Sequence, residues 1–151
     1  MRTLGYKPKA AFLEKGGEPM EWWRVNGKAA HGTCVVGYWH PTLRYPGAQE
    51  LRQRFEQETG LPYSQVVATT YAVSQIMLDA LERAGDLDPR AINAAIAQTD
   101  KTFVVGPVKF TPGKEGNVSI LPTFMLQWQD GETKIVYPPR LANADFIYPL
   151  P

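Results

Sequence analysis

The sequence predicts an α/β fold, with a parallel sheet, flanking helices and a C-terminal β-hairpin, on three observations. Short β-branched and small apolar runs such as Thr33-Cys34-Val35-Val36 suit strands buried on both faces of a parallel sheet. Residues 66–84 and 88–96 carry apolar side chains at the three-and-four spacing of an amphipathic helix. Thr123 to Gln129 alternates apolar and polar before Asp130-Gly131, a type I′ turn signal.

In chain order, Lys9-Ala10-Ala11-Phe12-Leu13, bounded by Pro8 and Gly16-Gly17, reads as a buried strand ending near Glu14. Pro19 suits the first turn of a helix, having no N–H to lose there, and that helix carries Met20, Trp22, Trp23 and Val25 to Gly27. His31 to Gly37 is the next strand, so the first third reads β-α-β. From Pro46 to Thr59, Ala48, Leu51 and Phe55 share one helix face, Glu50 and Arg54 form an i,i+4 pair, and Gly60 is a C′ residue. The longest helical pattern follows Leu61-Pro62: Val66, Val67, Thr70, Val73, Met77, Ala80, Leu81 and Ala84, closed by Gly85. Asp88-Pro89 supplies the N-cap and N1 pair of a helix through Ala91, Ile92, Ala95 and Ile96. Thr102 to Phe110 is β-rich but broken by Gly106-Pro107, which predicts an irregular or edge strand before a Pro112-Gly113 turn. In the terminal hairpin Phe124, Leu126 and Trp128 share a face and Lys134 to Tyr137 runs back. No element is assigned beyond Pro138-Pro139.

Composition narrows the functional classes. With 16 Lys and Arg against 15 Asp and Glu the net charge is +1, so the surplus of positive charge that draws proteins to nucleic acid is missing. A hydrophobic share of 44% argues against disorder. The one cysteine, Cys34, cannot form an internal disulfide and reads as a small buried hydrophobe. No apolar run approaches the ~18 residues of a membrane helix, and the opening Met1 to Pro8 lacks the apolar segment of a signal peptide.

The order of elements and several phrases resemble the C-terminal part of a type I periplasmic solute-binding protein, of the branched-chain amino-acid (leucine/isoleucine/valine) receptor family of ABC importers. The matching stretches are Leu4-Gly5-Tyr6-Lys7-Pro8-Lys9, Gly27-Lys28-Ala29-Ala30-His31-Gly32, and Thr70-Tyr71-Ala72-Val73. Further on come Asp79-Ala80-Leu81-Glu82-Arg83-Ala84-Gly85, Val105-Gly106-Pro107-Val108-Lys109-Phe110 and Gln127-Trp128-Gln129-Asp130-Gly131. The resemblance implies two lobes around a cleft, with an export signal and a first lobe preceding the point where this sequence opens. On that expectation the chain is a truncated, proteolysed or excised piece of an extracytoplasmic parent that serves an ABC permease. Residues 1–61 and 119–151 would then belong to the second lobe and 62–118 to the first, with Pro62 in the connection between them.

Ligands in open α/β sheets collect beyond the carboxyl ends of strands. That rule selects Glu14 after the first strand and Tyr38, Trp39 and His40 after the second. In the family a carboxylate matching Glu14 holds the ammonium group of an amino-acid ligand through a charge-assisted hydrogen bond. A solvated carboxylate beside Lys15 is the plain alternative. Tyr38 and Trp39 offer apolar walls with polar tips, or else packing between sheet and helix. His31, Cys34 and His40 invite a metal reading, but alternation puts residues 31 and 34 on opposite faces and supplies no fourth ligand. Gly-x-Ser-x-Gly, the phosphate loop and His-Glu-x-x-His do not occur, and Gly16-Gly17 lacks dinucleotide spacing, so no cofactor is expected. A binding protein for an amino acid or related small organic acid or amide, not an enzyme, needs the fewest assumptions. A ligand-sensing regulatory domain of the same fold is the second reading, and a small α/β enzyme using Glu14 and His40 the third. A sheet lacking its early strands would leave apolar surface uncovered, which predicts a homo-oligomer with Trp22 or Trp23 in its interface.

Overall fold

In the computed structural model, which describes residues 5–114 and 116–151, the predicted runs settle into four α-helices and seven β-strands. Residues 1–4, including Leu4 of the first matching phrase, lie outside the described residues. The chain divides into two units: Met1–Gly37 with Thr123–Pro151, and Tyr38–Pro122. This boundary differs from the expected one at Leu61-Pro62. The segment from Tyr38 to Gly60 belongs with the residues that follow it, because Trp39 and Ala48 share one buried core with Ala68, Ala72, Phe103, Val104, Val105 and Val108. Pro62 is a connector inside that unit, and Tyr63 next to it packs on the same core.

The first unit is built on a sheet in which β6 (Phe124–Gln129) lies between β1 (Cys34–Gly37) and β7 (Glu132–Tyr137), both antiparallel to it. Asp130 and Gly131 both take positive φ, 51° and 96°, as a type I′ turn requires, so the sequence signal for the hairpin is realised at its expected place. Parallel pairing is confined, among the described residues, to one bridge between Phe12 and Cys34. The expected strand 9–13 therefore shrinks to a single rung: Leu13 N–H donates to the Cys34 carbonyl (2.9 Å) and Cys34 N–H to Ala11 (2.8 Å). Phe12 is 56% exposed, so little burial favours a longer ladder.

Pro19 precedes α1 (Met20–Asn26) as its N-cap, one residue earlier than expected, and Gly27 closes the helix at φ 51°. Both tryptophans of α1 are half-buried, and Trp23 stacks on Trp128 with ring centroids 6.1 Å apart. A short 3-10 turn, Gly27–Ala30, leads into β1. Beyond β7 the chain stays irregular and is tied down by Gln127. Its side-chain amide donates to the carbonyls of Gly32 and Ile147 (both 2.9 Å), while its oxygen accepts from Ile147 N–H (2.9 Å).

In the second unit α2 (Ala48–Thr59) and α3 (Gln65–Ala84) end on Gly60 and Gly85, both left-handed, and α4 (Pro89–Ala97) starts from an Asp88 side chain that accepts Arg90 N–H. Arg83 of α3 braces the end of α4 by donating to the Ala95 carbonyl (2.6 Å) and the Thr99 hydroxyl (2.8 Å). The face of α3 that packs is only partly the expected one, which Ala80, Leu81 and Ala84 keep at its end. Gln65, Ala68, Ala72 and Ala80 are buried, whereas Val66, Val73 and Met77 are exposed. Alanine lets the neighbouring backbone approach closely, and the larger apolar residues lie on a face that the described residues do not cover.

The expected irregular strand over 102–110 is a tight hairpin, β2 (Asp100–Phe103) against β3 (Gly106–Lys109). Gly106 takes φ 102°, and a Cβ there would stand 2.7 Å from the Tyr45 ring, so this position needs glycine on two counts. Pro112-Gly113 is not a turn either. It lies in β4 (Thr111–Gly113), which pairs with β5 (Gly116–Val118), a two-stranded edge on which proline loses no ladder bond.

Candidate ligand-binding site

Glu14 lies two residues beyond the Phe12–Cys34 rung, and since that pairing is parallel the chain there runs in the same direction as β1. Its side chain is exposed. The loop that carries it is held at both ends. On one side Leu13 bonds to Cys34, and on the other the indole N–H of Trp128 donates to the Gly17 carbonyl at 2.6 Å. Gly17 itself is buried, and a Cβ there would stand 2.9 Å from Val35 and 3.0 Å from Leu13. The backbone can seat so deeply only because Gly17 has no side chain.

Tyr38 and Trp39 open the second unit. The Gln65 side-chain oxygen accepts both their backbone N–H groups, at 3.0 and 3.4 Å, and so fixes the direction of the pair. Trp39 is 1% exposed, donates its indole N–H to the Val104 carbonyl (2.7 Å) and tilts against Tyr63 at 4.4 Å. Packing therefore accounts for Trp39. Tyr38 is half-buried and lies against the same core. His40 is buried; its Nδ1 accepts Thr42 N–H at 3.3 Å and lies 2.8 Å from the Thr42 hydroxyl.

The metal reading finds no set of ligands among the described residues. His31 Nδ1 accepts the Asp130 backbone N–H at 3.2 Å, and Cys34 lies between the Gly32 carbonyl and Gln127. Burial pushes the Cys34 thiol above its ordinary pKa, with the Gln127 amide opposing, so the group stays a neutral thiol. Sequence reasoning missed Gln65, Gly17 and the indole of Trp128. Gly17 and Trp128 are separated by more than a hundred residues, and no local pattern signals such a pair. A polar residue opening an otherwise apolar helix was the available signal for Gln65.

An apolar groove of about 810 Å³ opens between α2 and α3, lined by Leu51, Phe55, Val66, Val67 and Tyr71 with Glu50 and Arg54 at its rim. No helix among the described residues is long and apolar enough to cross a membrane.

Comparison with known proteins decides the family. A model of the periplasmic binding proteins matches residues 1–133. The chain belongs to the periplasmic binding protein family. Among curated members, Leu/Ile/Val-binding protein homolog 7 of Brucella abortus is 27% identical over 157 aligned positions, which take in 96% of this chain and 38% of the relative. Among solved members, the leucine binding protein LivK of Thermotoga maritima superposes with a TM-score of 0.76 at 22% identity, covering 89% of this chain and 38% of that one. LivJ of Streptococcus pneumoniae, a branched-chain amino acid transporter substrate binding protein in complex with isoleucine, gives 0.73 at 17% identity, covering 87% and 37%. These likenesses establish a partial type I periplasmic-binding fold, as the order of elements predicted. The chain spans about 38% of the length of the relatives it matches.

Proposed function

We propose that this chain contributes to recognition of a small solute, an amino acid or a related small organic acid or amide, by the substrate-binding component of an ABC importer acting outside the cytoplasm. The observation that carries the reading is the exposed carboxylate of Glu14 just beyond the parallel Phe12–Cys34 rung, in a chain whose relatives include leucine- and isoleucine-binding proteins. Glu14 would accept the ligand's ammonium group, and in the other unit Tyr38 remains a separate candidate for an apolar wall. Trp39 would hold Tyr38 in place from behind rather than touch the ligand. Binding of this kind needs closure on a solute and no bond-making step.

Titration of the complete gene product with L-leucine, L-isoleucine, benzoate and a panel of amides tests it. Saturable binding of an amino acid that Glu14→Gln weakens about tenfold or more supports the reading, since a charge-assisted bond in a desolvated setting is worth about 1.5–3 kcal/mol. Binding of amino acids unaffected by that change removes Glu14 from the site. A regulatory domain of the same fold would bind its effector equally well, and the gene's neighbouring domains distinguish the two.

Self-association is the second part of the proposal. The exposed Val66, Val73 and Met77 of α3 give the 151-residue chain, taken alone, an apolar face that a second copy would cover. Sedimentation of the isolated chain should show a dimer or larger species at micromolar concentration. Of the two tryptophans of α1, Trp23 is the poorer candidate for that contact, because it already lies over Trp128.

A further inference from the structure

We propose that Trp128 is a positioning residue for Glu14, setting through a single hydrogen bond how well the protein tells a ligand's ammonium group from a hydroxyl. This rests on the assignment of Glu14 to the site. Trp128 is 2% exposed, and its only polar atom is the indole N–H that reaches the Gly17 carbonyl at 2.6 Å. The ring is immobilised on its other side by Trp23. Since Leu13 is already bonded to Cys34, the segment that carries Glu14 spans only Glu14 to Gly16 between two fixed points. Lys15 lies in a turn closed by the Glu18 N–H on its carbonyl at 3.3 Å, which shortens the free length further. An exposed carboxylate on so short a tether has few backbone directions open to it. Losing the indole bond frees one end, and the carboxylate then gives up conformational entropy each time it meets a cation.

The test compares L-leucine with its 2-hydroxy acid, in which a hydroxyl replaces the ammonium group, by calorimetric titration of the complete gene product and of Trp128→Phe. Phenylalanine keeps an aromatic ring over Trp23 and removes the donor. The expected result is a loss of roughly 3- to 10-fold in leucine affinity, the range of one ordinary hydrogen bond, with the hydroxy acid changed by less than about twofold. In a Glu14→Gln background the same change should add nothing, because the route through Glu14 is then closed. Equal losses for both ligands, or a loss that persists in Glu14→Gln, would overturn the inference and leave Trp128 a packing residue.

Gly17→Ala is the second variant. Its methyl group would crowd Val35 and Leu13, displacing the Gly17 carbonyl while leaving Trp128 intact, and it should reproduce the selective loss. A wild-type protein that binds no amino acid, or one whose leucine affinity Glu14→Gln leaves unchanged, sinks the functional reading and this inference together. A leucine affinity that falls in Glu14→Gln and stays unchanged in both other variants sinks the inference alone.

Discussion

The indole N–H of Trp39 donates to the backbone carbonyl of Val104 at 2.7 Å, joining the first residues of the second unit to the turn between β2 and β3, 65 positions away. Both groups are buried. Trp39→Phe should therefore destabilise the protein by about 1–3 kcal/mol, the cost of leaving a buried acceptor unpaired plus a small packing loss. Urea unfolding followed by circular dichroism measures it, and a loss under ~0.5 kcal/mol would mean that water reaches Val104.

Gly106→Ala should be similarly costly for a different reason. The added methyl must enter a positive-φ backbone and press on the Tyr45 ring. Strain of this kind amounts to about 1–3 kcal/mol, and a Tyr45→Ala background should relieve the steric part while leaving the backbone part. Thermal melts of the two single variants and the double variant separate them.

Asp79 sits between Lys101 (2.6 Å) and Arg83 (2.9 Å). The Lys101 ammonium, and after it the Arg83 guanidinium, hold its carboxyl below the usual carboxylate value. A carboxyl whose pKa is lower in the folded chain contributes stability that is complete above its unfolded pKa, about 3.9, and is lost as pH falls through the folded value. Asp79→Asn should thus cost about 0.5–1 kcal/mol at neutral pH, as expected for a pair of bridges to partly exposed cations, and less as pH falls through the folded value. Denaturant midpoints of the two proteins should converge as pH falls below ~4.

Gln127→Leu tests the anchoring of the tail. The substitution removes two hydrogen bonds donated to the backbone and one accepted from it, and strands the Gly32 carbonyl and the Ile147 carbonyl and N–H that Gln127 now satisfies. Residues 141–151 should become sensitive to limited proteolysis several-fold sooner than the sheet, whose pairing of β1, β6 and β7 does not depend on that amide. Cleavage sites read by mass spectrometry would show it.

Helix ends and the terminal hairpin were legible in the sequence. Gly60, Gly85, Asp88-Pro89 and Asp130-Gly131 act through φ angles and hydrogen bonds that span four residues or fewer, so no distant partner is needed to interpret them. The order of elements and the matching phrases likewise sufficed for the family. What the sequence could not determine by itself is which surfaces meet. The helix 65–84 has apolar residues around much of its circumference, and its alanine face packs because the β2–β3 turn and Trp39 are there to receive it. The division at Gly37-Tyr38, the burial of Trp39 and the Trp128–Gly17 bond have the same origin. Each depends on burying apolar area and satisfying polar groups between residues far apart in the chain, and those free energies exist only once the chain has folded.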